Sequence, residues 1–184
     1  MKRIYLSILL CLMILRGLAQ QVPFLDEGSA IADYPKVDWL QGEPISHFDK
    51  DKIYVVELWA TWCKPCIAAM PHLNGLHQKF KDKKVVFIAQ DVMEADVQKV
   101  LAFVKENGDK MSFRVAFSGM RGSDFDTKWV RAAGVNSIPQ TFIIQNNTLV
   151  WQTDPNMLNE EVLQLLVDGK FTIKDAEAIA KKHN

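Results

Sequence analysis

The chain has 184 residues, of which 48% are hydrophobic and 24% charged, a composition typical of one globular domain with a packed core. Its formal net charge is zero, and three of its bases, Lys2, Arg3 and Arg16, precede Gln20. Because no acid accompanies them there, the rest of the chain is mildly acidic, which argues against a nucleic-acid-binding surface.

The N-terminal segment has the pattern of a secretory signal peptide. Lys2 and Arg3 are followed by an apolar run over residues 4–15 and by small residues up to Ala19. The run is shorter than the roughly 20 residues of a membrane-spanning helix, so an uncleaved membrane anchor is the less favoured alternative. We therefore predict a signal peptide at residues 1–19 and export to the periplasm.

The next two segments carry little periodicity. Residues 20–35 mix proline, glycine and acids, and we predict a flexible leader there. The turn signal Gln41-Gly42-Glu43-Pro44 lies within residues 36–50 and predicts a small N-terminal hairpin. The nearly continuous apolar run at 53–59 then predicts a strand that is buried on both faces of a sheet.

The remainder alternates between the spacing of helices and that of strands. Helices are predicted at 64–80, 96–107, 125–133, 159–167 and 173–182, and further strands at 85–89, 113–117, 141–145 and 148–152. Asn146 and Asn147 predict a tight turn between the last two strands, since asparagine tolerates left-handed backbone. The expected fold is α/β, with a central mixed sheet flanked by helices, in one domain at 36–184 that ends in a C-terminal helical extension.

Removal of the signal peptide takes Cys11 with it and leaves Cys63 and Cys66 as the only cysteines of the exported chain. A structural zinc site needs two further ligands at matched spacing, and no other cysteine remains to supply them, so no metal is predicted. A disulfide that closes so short a loop stabilises little chain. Redox exchange is therefore the predicted role of the pair.

The position of the two cysteines predicts how each would act. Cys63 lies where the buried strand gives way to a helix, whose unpaired N–H groups and dipole favour a thiolate, so Cys63 is the predicted nucleophile. Cys66 follows on the same helical face and is the predicted resolving thiol. Lys64 and Pro65 lie between them and are predicted to tune the redox potential.

Glu57 interrupts the apolar strand and needs an explanation, because burying an unpaired carboxylate is costly. One interpretation is catalytic, with Glu57 accepting a proton from Cys66. The alternative is that the side chain points to solvent at a strand end.

Residues 57–66, with the sequence ELWATWCKPC, resemble the active-site stretch of thioredoxin-like proteins, especially the exported TlpA/ResA-like branch. The resemblance extends over residues 39–167 and includes an inserted helix before the second half. It implies a thioredoxin-like fold and a thiol:disulfide oxidoreductase that needs no cofactor. Two departures are Lys64-Pro65 in place of Gly-Pro, and Ala69 where many members of the branch carry glutamate, so the redox potential is not carried over.

The same resemblance assigns further residues and partners. Pro139 corresponds to the family's cis-proline, so the Ile138–Pro139 bond is expected to be cis and to bind substrate together with Trp62. Glu57 falls at the position of the family's buried acid. The implied partners are disulfide-containing exported proteins, such as apocytochrome c, and a membrane electron donor.

Other functions stay open beside the leading one, which is disulfide reduction. The same dithiol would serve a disulfide oxidase or isomerase, and a peptide-binding thioredoxin-like module without redox turnover is the non-enzymatic alternative. A thiol peroxidase is disfavoured, because the peroxidatic motif Pro-x-x-x-Thr-x-x-Cys does not occur around Cys63.

Overall fold

Within residues 24–183, which the computed structural model describes, six strands form one mixed sheet. The predicted signal peptide lies outside the described residues. In the order β1-β4-β3-β2-β5-β6 across the sheet, the strands are β1 (Asp38–Gln41), β2 (Ile53–Trp59), β3 (Val85–Asp91), β4 (Arg114–Phe117), β5 (Gln140–Gln145) and β6 (Thr148–Thr153).

Strand β2 lies at the centre, parallel to β3 and antiparallel to β5. All its residues are buried, because four helices cover one face of the sheet, and a short helix together with segments that precede β2 covers the other. The predicted buried strand and the mixed sheet are therefore confirmed. Asn146 and Asn147 join β5 to β6 with positive φ angles of 52° and 57°, as the turn prediction required.

The helices lie close to their predicted bounds, with one change of type at the segment predicted as 125–133. They are α1 (Lys64–Phe80), α2 (Val97–Glu106), a π-helix (Asp126–Arg131), α3 (Glu160–Val167) and α4 (Ile173–His183). Helix α2, between β3 and β4, is the predicted inserted helix. None of these helices is long and apolar enough to span a membrane, a statement that covers the described residues alone.

Two cores lie on opposite faces of the sheet because side chains alternate along each strand. The first, which we call the helix-side core, contains Val55 and Trp59 of β2, the two cysteines, and residues of α1 to α4. The second, the leader-side core, contains Tyr54, Val56 and Leu58 with the π-helix and segments that precede β2. Odd-numbered side chains of β2 therefore face the same side as the cysteines.

The predicted N-terminal hairpin is wrong. Strand β1 pairs antiparallel with β4, with Asp38 opposite Phe117, so it is an edge strand of the main sheet. Residues 46–48 instead lie beside 32–34, joined by hydrogen bonds from the N–H of Tyr34 to Ser46 O and from the N–H of Phe48 to Ala32 O. The turn signal coincides with a bend at Gly42, where φ is 79°, but the strand that precedes it pairs with a strand far along the chain.

Residues 24–35 also differ from the predicted flexible leader. Leu25, Ile31 and Tyr34 are buried in the leader-side core. Their backbone is held as well, since the N–H of Leu25 bonds to Ala132 O and that of Ile31 to Asn147 O. This segment covers a sheet face that would otherwise expose apolar side chains, so it belongs to the folded domain.

Candidate active site

The two cysteines lie in the connection between the central strand and the first helix. Strand β2 ends at Trp59, and Cys63 is the N-cap residue of α1, with extended backbone. Cys63 and Cys66 form a disulfide, with their Cα atoms 5.3 Å apart. The structure is therefore that of the oxidised protein, and it brings the two predicted reactive residues together.

The surroundings of Cys63 favour negative charge on its sulfur. The N–H of Cys66 donates to Cys63 Sγ over 3.3 Å, and no acid lies in the first turn of α1. Pro65 occupies that first turn, where its missing N–H leaves no intrahelical bond unmade, and the Lys64 side chain is exposed beside it. A thiolate formed here on reduction is stabilised by the helix N-terminus.

The loop before β5 lies against the dithiol. The Ile138–Pro139 peptide bond is cis, and Ile138 O lies 3.7 Å from Cys63 Sγ. Both residues are partly exposed. The loop therefore places a backbone carbonyl oxygen next to the sulfur of Cys63.

Trp62 directly precedes Cys63 in the chain and exposes its aromatic side chain. Its side chain is 53% exposed, whereas Trp59, three residues earlier, is buried in the helix-side core. The ring of Trp62 is fixed at its polar end, since Nε1 donates to Met93 O over 3.3 Å. An exposed aromatic ring beside a reactive sulfur offers apolar contact to an incoming chain.

Glu57 is buried, which excludes the interpretation that it points to solvent. Its side chain is 2% exposed and faces the same side of the sheet as the cysteines. Thr141 Oγ1 on β5 donates to Oε2, while Oε1 has no hydrogen-bond partner among the described residues. Burial raises the pKa of Glu57 well above its usual value, against the Thr141 hydrogen bond that lowers it, and the charge of Asp154 raises it further.

Sequence reasoning missed two further buried acids, Asp91 and Glu94, at and just after the end of β3. Both oxygens of the Asp91 carboxyl lack a hydrogen-bond partner among the described residues. Burial raises the pKa of Asp91 to about 8, helped by the negative charge of Glu94. The signal that would have found them is their position, since polar residues at the end of a buried parallel strand lie at the ligand-binding edge of such sheets.

Among residues 24–183, no group of three histidine, cysteine or acidic side chains is close enough together to hold a metal ion. The reactive groups described above are the two sulfurs and the carboxyl groups of Glu57, Asp91 and Glu94.

The sequence model of the AhpC/TSA family matches residues 35–152, which is more than half of the chain. The chain belongs to the AhpC/TSA family. One similar protein is the thiol-disulfide oxidoreductase ResA of Bacillus thuringiensis subsp. konkukian (strain 97-27), 34% identical over 126 residues that cover 68% of each chain. Another is protein FixW of Rhizobium leguminosarum, 26% identical over 164 residues, covering 86% of this chain and 73% of FixW.

Solved structures share the fold described above. A thiol-disulfide isomerase from Corynebacterium glutamicum superposes with a TM-score of 0.62 over 80% of this chain and 99% of its own, at 20% identity. At that identity the likeness shows the thioredoxin-like fold alone. With the ResA relative and the linked Cys63 and Cys66, the chain is a thioredoxin-like thiol:disulfide oxidoreductase.

Proposed function

We propose that the protein works as a reductase of disulfide bonds in exported proteins. The observation that carries this proposal is the position of Cys63, whose sulfur lies at a helix N-terminus beside the partly exposed Ile138–Pro139 loop. Cys66 is fully buried, which suits a thiol that reacts only with its neighbour. The proposed roles are therefore attack by Cys63 and resolution by Cys66.

The two cysteines supply both electrons that the reduction of a substrate disulfide needs. The Cys63 thiolate attacks one sulfur of the substrate disulfide, which breaks the substrate S–S bond, forms a mixed disulfide and releases one substrate thiolate that takes up a proton. Cys66 then loses its proton and attacks Cys63 Sγ, which releases the second substrate thiolate. Two electrons pass to the substrate, and the protein is left with the Cys63–Cys66 disulfide that the structure contains.

Glu57 is the proposed acceptor of the Cys66 proton. Its burial on the cysteine side of the sheet supports this role, and its raised pKa brings it closer to the range in which a carboxylate accepts a proton from a thiol. Thr141 holds one oxygen of the carboxyl and leaves the other without a partner among the described residues. That free oxygen is available to take the proton.

Substrate binding is proposed for Trp62, Ile138 and Pro139. The exposed Trp62 ring offers apolar contact, and the loop offers its backbone next to Cys63. Lys64 and Pro65 are proposed to tune the potential, because they lie between the sulfurs in the first turn of α1.

The cellular setting is proposed from the N-terminal pattern. A signal peptide at residues 1–19 would direct the protein to the periplasm, where disulfides form and persist. Substrates there are disulfide-containing exported proteins, apocytochrome c among them. A membrane electron donor would return the Cys63–Cys66 disulfide to the dithiol.

The test is a trapping experiment with Cys66→Ala. Cys63 then attacks substrate but no thiol resolves the product, so mixed disulfides accumulate and run as high-mass bands on non-reducing gels. The double variant Cys63→Ala/Cys66→Ala is the matched control and forms none. Absence of adducts from cells that express Cys66→Ala contradicts the proposal.

A redox titration against glutathione and dithiothreitol decides the direction of transfer. A reduction potential near the value of about −270 mV known for thioredoxin supports a reductase. A potential near the roughly −120 mV of strong oxidants makes the protein a disulfide donor instead.

A further inference from the structure

A loop after β3 holds the turn that precedes Cys63. The N–H of Val92 donates to Trp59 O over 2.9 Å, at the point where β2 ends. Met93 has a positive φ of 57°, uncommon for a residue other than glycine, and its carbonyl oxygen accepts from the Trp62 ring. Two backbone groups of this loop thus fix residues on both sides of Thr61.

Glu94 completes this contact with its side chain. Its Oε2 accepts from the N–H of Thr61 over 2.8 Å, and its Oε1 accepts from Thr61 Oγ1 over 2.6 Å. Thr61 is therefore bound twice by one carboxylate, two residues before the nucleophile.

The same carboxylate reaches a second element. Lys99 of α2 donates from Nζ to Glu94 Oε1 over 2.8 Å. A continuous chain of contacts therefore runs from the inserted helix α2 through Lys99 and Glu94 to Thr61, which lies two residues before Cys63 in the chain.

The carboxylate is ionised in this position although it is only 5% exposed. Burial alone would raise the pKa of Glu94, but the hydrogen bonds from Lys99 and Thr61 outweigh it and hold the pKa below its usual value. A buried ion is costly unless it is fully paired, and here three donors share its two oxygens. Such a group fixes its partners in one geometry.

We propose that Glu94 is a positioning residue of the active site, which fixes the Thr61–Trp62 turn that presents Cys63 and the Trp62 ring to substrate and ties that turn to helix α2. The inference rests on the proposed reductase function, for which it supplies the orientation of the attacking group. Glu94 makes no hydrogen bond to either sulfur and acts through Thr61. Misplacement of a reacting group by about 1 Å can lower a rate by roughly two orders of magnitude.

The test uses three variants that weaken the contact, namely Glu94→Gln, Thr61→Val and the double variant Glu94→Gln/Thr61→Val. They are compared with Thr61→Ser, which keeps the hydroxyl donor. We measure the rate at which the reduced protein reduces a disulfide-linked peptide, with thermal unfolding to show that each variant folds. Each of the first two changes is expected to lower the rate about tenfold, because each weakens the contact between Thr61 Oγ1 and Glu94 Oε1. The rate of the double variant is expected to lie within about twofold of the rate of the slower single variant. The rate of Thr61→Ser is expected to lie within about twofold of the wild-type rate.

The matched control is Glu177→Gln, an exposed glutamate of α4, which is expected to leave the rate unchanged. Rates that stay near the wild type in Glu94→Gln and Thr61→Val overturn the proposal, as do losses that multiply in the double variant. If Glu94→Gln does not fold, the comparison of Thr61→Val with Thr61→Ser still decides, since equal rates for the two refute the role of the hydroxyl contact.

A second readout does not depend on activity. Acrylamide quenching of tryptophan fluorescence in the oxidised protein reports how accessible the ring of the exposed Trp62 is to the quencher. The Trp62→Phe variant gives the fluorescence of the other tryptophans, which is subtracted. Glu94→Gln and Thr61→Val are expected to increase quenching of the Trp62 component, and unchanged quenching in both refutes the positioning role. If the wild-type protein reduces no disulfide, the proposed function is refuted. The quenching result still tests separately whether the contact between Glu94 and Thr61 fixes the Trp62 ring.

Discussion

Replacement of Asp91 by asparagine should change how the stability of the protein depends on pH. The Asp91 carboxyl is fully buried, and its pKa of about 8 lies far above the value near 3.8 of an exposed aspartate. Between these two values the folded protein keeps a proton on Asp91 that the unfolded chain releases. Stability therefore falls as pH rises through this interval, and the contribution of the protonated group is complete only below pH 3.8.

The size of the effect follows from one proton. A difference of one bound proton changes the free energy of unfolding by about 1.4 kcal/mol per pH unit. Asp91 alone therefore lowers the free energy of unfolding by about 2.7 kcal/mol when the pH rises from 5 to 7. That is a large share of the roughly 5–15 kcal/mol by which native proteins are stable. Asparagine resembles the protonated acid but does not titrate, so Asp91→Asn should lack this slope.

The assay is urea unfolding of the oxidised protein at pH 5, 6 and 7, with the exposed Asp109→Asn as the matched control. Glu57 is also buried with a raised pKa and adds a slope of the same sign in every variant, so the quantity that matters is the difference between variants. The advantage of Asp91→Asn over the wild type should grow by about 2.7 kcal/mol from pH 5 to pH 7. Parallel curves for the two proteins would refute the assignment of a proton to buried Asp91.

Three other substitutions test the remaining parts of the structure. Ile31→Ala should lower the free energy of unfolding, measured in urea, by about 2–4 kcal/mol because Ile31 is buried. The control is Phe24→Ala, since Phe24 is 71% exposed, and equal effects of the two substitutions would support the flexible leader that the sequence predicted. Tyr34→Phe removes the buried donor to Gln90 Oε1 and should cost about 1–3 kcal/mol in the same assay, whereas a neutral result would mean that the hydroxyl contributes nothing. In Glu57→Gln the glutamine side chain cannot accept the proton, so decay of the mixed disulfide should be about a hundredfold slower when it is measured by acid quench. An unchanged decay rate excludes Glu57 as the acceptor.

The parts of the fold that the sequence predicted are those with local causes. The run at 53–59 is apolar throughout because β2 is covered on both faces, and the Asn146-Asn147 turn depends on the backbone preference of two residues. The pairing of β1 with β4 has no such local cause, since Asp38 pairs with Phe117, which lies about half the length of the domain further along the chain. The docking of residues 24–35 was missed for a related reason, because irregular backbone buries its apolar side chains without any fixed period.

The candidate site divides in the same way. Cys63 and Cys66 are recognised from their spacing, because both lie in one helical turn. Glu94 gives no comparable signal, since its role depends on a contact with Thr61 that is 33 residues away along the chain. Such a contact becomes visible only when two parallel strands bring the loops that follow them to one edge of the sheet.

That edge explains why the parts of the site belong together. Strands β2 and β3 are parallel, so the cysteine turn and the Glu94 loop both follow strand ends on the same side of the sheet. Strand β5 runs antiparallel to β2, so the cis bond before Pro139 lies at this same edge, where β5 begins. The ladder hydrogen bonds of β2 fix both neighbours, and the three loops keep one mutual arrangement as long as the sheet is intact. Substitutions in the strands should therefore act on stability first, whereas substitutions in these loops should change the reaction rate while the protein remains folded.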